Sequence, residues 1–184
     1  MAGSNETRPA GPLSSRRMTA QPRSRIETRG RPDRRDLDGD FGHSLTVPVR
    51  FADTDAMGHV NNATYLTYVE AARIDWWTAI TGERLEREPG RPDGLILAEA
   101  EIAYRSPVVF GESVTIETRA SRIGRTSLGL DHRLTALEPG GSARVVAICR
   151  SVIVRYDYEA ETPTPWPNGH IEAIEAFEGH RLRR

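Results

Sequence analysis

Asp53, Asp55 and His59 stand close together in the run RFADTDAMGHVNNATYLTYVEAAR, which extends from Arg50 to Arg73. Two carboxylates and an imidazole at this spacing could serve three chemistries. Calcium is the first, because Asp53-x-Asp55-x-x-Gly58 matches the opening of an EF-hand loop. The match fails at the fifth position, Met57, and at the twelfth, where Thr64 replaces a bidentate glutamate. A transition metal held by Asp53, Asp55 and His59 is the second, but no further His or Cys cluster lies nearby to complete the shell. The third is a carboxylate acting as base or nucleophile on an electrophile held at a helix N-terminus, where free amides stabilise a developing oxyanion. Spacing by itself favours a purely structural alternative, an Asx-turn leading into an N-cap.

Two elements must position these residues. Leu45, Val47, Val49 and Phe51 alternate with Thr46, Pro48, Arg50 and Ala52, which is strand period. Asn61 and Asn62 are N-cap residues by type. Tyr65, Leu66, Val69, Ala72, Arg73, Trp76, Trp77 and Ile80 then recur at helical spacing up to a stop at Gly82. The aspartates and His59 therefore sit on a tight connection that runs into the positive end of a long helix.

The run Asp53-Thr54-Asp55-x-x-Gly58-His59-Val60-Asn61-Asn62-x-x-Tyr65-x-x-Tyr68-x-Glu70-x-x-Arg73 resembles the signature of hotdog-fold acyl thioesterases. It is most similar to the 4-hydroxybenzoyl-CoA thioesterase-like branch and the related acyl-ACP thioesterases. The resemblance implies an α+β hotdog fold, one curved antiparallel sheet wrapped around a long central helix. It implies that Asp55 is catalytic and that the amide polarising the thioester carbonyl falls on or next to Asn62. His59 and Glu70 join the catalytic candidates. Gly58, Val60, Asn61 and Tyr65 are expected against substrate. Arg122, Arg125 and Ser127, around the Gly124 turn, are expected near coenzyme A phosphates, for which arginine is well shaped. The implied partner is an acyl-CoA or acyl-carrier-protein thioester, with no cofactor and no metal. Family members join sheets edge to edge, so a homodimer or homotetramer is expected. A hotdog module that binds the thioester without turning it over is the alternative. The Asp-x-Asn-x-x-His pattern of hotdog dehydratases is not what stands here.

The remaining sequence sets limits. All 25 basic residues are arginine, which excludes a P-loop lysine, a Schiff-base lysine and a lysine general base. A formal charge of −1 gives no reason to expect nucleic acid or an anionic membrane. The lone cysteine, Cys149, excludes an intramolecular disulfide and fits a reducing, cytoplasmic setting. It reads as a small buried hydrophobe. Asp131-His132 and Ser113 suggest a serine hydrolase, but no G-x-S-x-G elbow is present. Glu70 and Arg73 also read as an ordinary i, i+3 helix pair.

Residues 1–41, rich in arginine and proline and poor in large apolar side chains, are expected to be a disordered tail before a domain spanning 42–184. Arg16-Arg17 lacks the apolar stretch an export signal needs, and Met18 is a possible alternative start. After the helix, charged and Gly/Pro-rich residues 83–93 predict a loop. Strands are expected over 95–104, with Ile96, Ala98, Ala100, Ile102 and Tyr104 on one face, and over 108–119, 125–137 and 143–158. Ile171, Ile174 and Phe177 predict a short amphipathic helix after the prolines around Trp166.

Overall fold

The computed structural model describes residues 37–85, 93–137 and 141–183. Strand β1 (His43–Pro48) is followed by a 3-10 turn at Phe51–Asp53 and by helix α1 (Asn62–Thr81). Then come β2 (Asp93–Tyr104), β3 (Ser113–Ile123), β4 (Ser127–Leu137), β5 (Ala143–Asp157), the short β6 (Thr162–Pro163) and α2 (Asn168–Glu178). The strands form one sheet in the order β1-β3-β4-β5-β2, with β6 on β5, and every pairing is antiparallel. α1 lies across one face. This is the α+β hotdog layout that the resemblance implies.

α1 starts where the asparagines place it. Asn61 is the N-cap, its side chain accepting from the Ala63 amide at 2.9 Å, and so satisfying one of the amides the first turn leaves open. Gly82 ends the helix in the left-handed region, φ 71°, where a side chain would be strained. The helix divides the core into two clusters. Tyr65, Tyr68, Val69 and Ala72 pack with Val49, Val60, Val108, Val114, Ile116 and Leu134. Trp76 and Trp77 pack with Ile123, Leu128, Leu130, Ile153, Trp166 and Ile174 from the other end of the sheet.

Three local expectations are corrected. The first strand ends at Pro48, and Phe51 is 78% exposed in the turn rather than aligned with Leu45 and Val47. On α1, Leu66 and Ile74 remain exposed along one stripe. In β2 a bulge between Leu97 and Glu99 breaks the alternation. Leu97 is paired with the buried Ile153, and Ala100 and Ile102 with Ser151 and Cys149. Leu97 therefore shares the helix-facing side with Ala100, Ile102 and Tyr104, and Ile96 does not, because an extra residue reverses the alternation. In α2, Ile171 and Ile174 are buried, whereas Phe177 is partly exposed and lies against Gly42.

The chain is packed from Leu37, ahead of the expected domain start at 42. Leu37 is buried, and the ring of Phe41 lies between the guanidinium groups of Arg119 and Arg133, 4.5 and 4.6 Å away. The same two arginines donate to the carbonyls of Leu37, Asp38 and Asp40. The expectation for residues 1–36 lies outside the described residues.

Candidate active site

The connection between the 3-10 turn and α1 folds back on itself as a tight hairpin. The Asp55 amide donates to the His59 carbonyl at 2.8 Å, and the Gly58 amide donates to the Asp55 carbonyl at 2.9 Å. Thr54 bridges to Val60 and His59 to Val109. Gly58 has φ +77°, the left-handed position such a turn needs. The Asn61 amide donates to the Asp53 carbonyl and the Val60 amide to the Val108 carbonyl, each at 2.8 Å. The hairpin is thus clamped to the start of α1 on one side and to the 105–112 segment on the other.

The two aspartates do different work. Asp53 is buried and its carboxylate is fully engaged. It accepts from the Arg50 amide (2.8 Å), from Arg50 Nη2 (2.7 Å) and from Tyr68 Oη (2.8 Å). The hydrogen bond from the Arg50 guanidinium is the main reason its carboxyl is held down at about 2. The same contact and burial raise the Tyr68 phenol above its ordinary value, burial being the larger cause. Tyr68 of the motif is therefore a tie from α1 to the loop. Asp55 is exposed; one oxygen accepts from the Met57 amide at 2.8 Å, an Asx-turn, and its other oxygen has no partner among the described residues.

The amides at the helix start can be accounted for one by one. Val60 and Asn61 donate to backbone carbonyls, Ala63 to the Asn61 side chain and Thr64 to the Asn61 carbonyl. The Asn62 amide finds no hydrogen-bond partner among the described residues. It is an outward donor at the positive end of a helix, beside a loop carrying a half-free carboxylate. That pair can polarise a carbonyl and bring a base or nucleophile to it.

The other expected residues are distributed differently. Gly58 and Asn61 shape the hairpin and the cap. His59 is exposed on the hairpin. Val60 and Tyr65 are buried in the core, so their side chains support the loop rather than face solvent; burial pushes the Tyr65 phenol up to about 12. Glu70 is exposed further along α1 and meets Arg73 at 3.5 Å, the helix pair that spacing allows. Arg122 and Arg125 are exposed and Ser127 is half-buried at the β3–β4 turn, where Ile123 joins the cluster around Trp76 and Trp77. Within one chain they stand at the far end of the sheet from Asp55. Asp53, Asp55 and His59 do not converge, and no group of three metal-ligating side chains occurs among the described residues.

Two supporting groups were not picked out from the sequence. Tyr104, on β2, donates to the Asn62 carbonyl at 2.8 Å and meets the Tyr65 ring edge-on at 5.2 Å. Glu112 is buried, accepts from the Val109 amide and from Arg144, and so holds the segment against which the hairpin bridges. His132 is a core residue between Thr118 and Ser151, 3.0 Å from each, and burial lowers its pKa to about 3. It is a satisfied neutral imidazole, far from a serine-hydrolase base. Cys149 is buried and its thiol is pushed up to about 11.

Comparison with known proteins identifies the family. The family model of the thioesterase-like superfamily matches residues 49–174. A thioesterase from Thermus thermophilus, whose crystal structure is complexed with coenzyme A and Zn, is 36% identical and superposes with a TM-score of 0.65 over 77% of this chain and 98% of that one. The 1,4-dihydroxy-2-naphthoyl-CoA hydrolase of Synechococcus elongatus is 31% identical over 106 residues, 55% of this chain and 76% of the relative. The long-chain acyl-CoA thioesterase FadM of Escherichia coli is 27% identical over 108 residues, 59% and 80% of the two chains. The chain belongs to the thioesterase-like superfamily and is a hotdog-fold thioester hydrolase.

Proposed function

We propose that this protein hydrolyses acyl-CoA thioesters, with Asp55 as the reacting carboxylate and the Asn62 amide as the oxyanion donor. The observation that carries the reading is the unpaired Asn62 amide beside a carboxylate with one oxygen open, on a loop braced by Asp53, Arg50 and Tyr68. The thioester oxygen accepts from Asn62. In one course Asp55 takes a proton from water as water attacks the carbonyl. In the other Asp55 attacks, the thiolate leaves and takes up a proton, and water opens the resulting anhydride. One turnover in ¹⁸O-water tests the second, since water that opens the anhydride at the Asp55 carbonyl leaves label in Asp55, which the first course never does. Coenzyme A esters are supported by the named relatives, whose acyl groups range from aromatic to long-chain.

The reading extends to a homodimer formed through β2. That strand is an open sheet edge carrying exposed Leu97 and Tyr104, and α1 exposes Leu66 and Ile74. Edge pairing covers such surfaces and lets Arg122, Arg125 and Ser127 of one protomer serve the loop of its partner. Sedimentation at micromolar concentration should give an even multiple of the 20.5 kDa chain. The reading includes a cytoplasmic location, which a single buried free thiol supports; no described helix is long and apolar enough to cross a membrane. The deciding experiment is a panel of acyl-CoA and acyl-carrier-protein thioesters with free-thiol detection. Release of thiol from acyl-CoA is expected. Acyl-CoA binding with no thiol released from any ester would replace the enzyme with a binding module.

A further inference from the structure

Asn62, Leu66, Val69 and Arg73 follow one another on α1 at helical spacing, so they form a single row along the helix. Strand β2 runs beside that row. Tyr104 meets it at the Asn62 end, through the hydrogen bond to the Asn62 carbonyl. Further along, Leu97 and Ala100 line a slot with Leu66, Val69, Glu70 and Arg73. The slot has a volume of about 140 Å³, close to the roughly 150 Å³ that accepts benzene. Arg73 lies about three turns, or about 16 Å, past Asn62, and a helical side chain leans back towards the helix start.

The walls of the slot are apolar and its inner end is a cation. Leu66 and Leu97 are exposed and form the rim, and Val69 is buried. The Arg73 side chain is only 10% exposed. Its one ion pair among the described residues is with Glu70: Nη2 stands 3.5 Å from Oε1, and the Glu70 side chain is 61% exposed. Water screens such a pair, which contributes little. Arg73 Nε and Nη1 donate to nothing among the described residues, and neither is sealed from solvent. The titratable groups near the guanidinium offer it no charge. His132 and Cys149 are buried and neutral, and Ser151 Oγ is already bonded to His132. Burial lowers the Arg73 pKa, yet a guanidinium stays charged at neutral pH. A buried cation is costly unless an anion with matching hydrogen bonds meets it.

Whichever Nη2 hydrogen Glu70 takes, one edge of the planar guanidinium keeps two free donors. Two parallel donors are what a carboxylate accepts from best. The row joins this edge to the Asn62 amide, so one molecule can occupy both. Its thioester carbonyl lies at Asn62, its carbon chain along Leu66 and Val69, and its far end at Arg73. We infer that the slot takes acyl groups ending in a carboxylate, the monothioesters of medium-length dicarboxylic acids, and that Arg73 is the residue that selects them. The inference rests on the placing of the thioester carbonyl at Asn62 proposed above. Edge pairing through β2 would cover the rim at Leu66 and Leu97 and exclude water, which strengthens a charged contact inside.

The test is thiol release by the full chain from fatty acyl-CoA and dicarboxylyl-CoA esters matched in length. Suberoyl-CoA should exceed octanoyl-CoA in kcat/KM by at least about tenfold, as a hydrogen bond to a charged group allows. Glutaryl-CoA, too short to reach Arg73, should show no advantage over pentanoyl-CoA. Arg73→Gln should abolish the preference for suberoyl-CoA. Glu70→Gln, at an exposed position, frees the remaining donor and should raise the preference; it keeps the inference testable if Arg73→Gln fails to fold. Taking ratios cancels any effect of either substitution on the reaction itself. Calorimetric affinities of the same esters give the same comparison if no thiol is released, so failure of the proposed reaction and failure of this inference are seen separately. Wild type that handles octanoyl-CoA as well as suberoyl-CoA would overturn the inference. So would an equal advantage of the carboxylate at every length, or a preference unmoved by both substitutions. A preference kept in Arg73→Gln while that variant sediments as a monomer would likewise overturn it and give the guanidinium to the interface.

Discussion

Tyr104 donates its hydroxyl to the carbonyl of Asn62 at 2.8 Å, tying the edge strand β2 to the residue whose amide points outward. The carbonyl it holds is not the reacting group, so Tyr104 is a positioning residue. Tyr104→Phe keeps the edge-on contact with Tyr65 and removes only the hydrogen bond. A net hydrogen bond is worth about 1 kcal/mol, so kcat should fall about three- to tenfold with KM little changed and the fold intact. A loss confined to KM would assign Tyr104 to substrate binding instead.

Asp53 anchors the loop through Arg50 and Tyr68. Asp53→Asn removes the charge from these bonds and should lower stability by about 1–3 kcal/mol. Its folded pKa lies below the ordinary value, about 2 against 3.8. The contribution to stability is therefore complete above about pH 4 and is lost as pH falls through 2. Denaturant midpoints measured down the acid range should fall less steeply in Asp53→Asn than in wild type. Identical acid profiles would remove Asp53 from the account of the loop.

His132 should leave a second mark at milder pH. Its pKa is lowered from 6.5 to about 3, so below pH 6.5 the unfolded imidazole takes a proton that the folded one refuses. The stability it contributes is present above 6.5 and declines as pH falls towards 3. His132→Gln cannot titrate and can still bond to Thr118 and Ser151. Between pH 6.5 and 5, above most carboxylate titrations, its denaturant midpoint should slope less than that of wild type. An equally steep slope would place the proton uptake elsewhere.

The segment ahead of β1 contributes to the fold. A variant starting at Leu37 should melt with the full chain. One starting at Gly42 loses the buried Leu37 and the Phe41 ring between Arg119 and Arg133. Burial of one leucine is worth about 1.5–3 kcal/mol, so its melting temperature should drop by several degrees. Scanning calorimetry of the three forms decides this.

The helix was legible because its signals are local: asparagines at one end, glycine at the other and apolar spacing between. The turn was legible for the same reason, since Asp55 and Gly58 each do what their type suggests at those positions. The long-range ties were not. No local pattern says that Tyr68 reaches back to Asp53, or that Tyr104 crosses from β2 to Asn62. The bulge at β2 hid as well, because an extra residue in a strand reverses the alternation without changing composition. Val60 and Tyr65 belong to the signature run, but the core claims their side chains; a motif records which residues recur and not which way they face.

The central claim is that the Asp55 carboxylate carries the chemistry. The measurement is kcat of Asp55→Asn on the best acyl-CoA substrate, beside wild type and Asp53→Asn, with circular dichroism and acyl-CoA affinity as controls. Asparagine retains the oxygen that accepts from Met57 but is neither base nor nucleophile at neutral pH. Loss of at least about 10²- to 10⁴-fold, with affinity and fold retained and a smaller loss in Asp53→Asn, is the expected result. Wild-type turnover by Asp55→Asn together with a dead Asp53→Asn would contradict the account and transfer the reaction to the other aspartate.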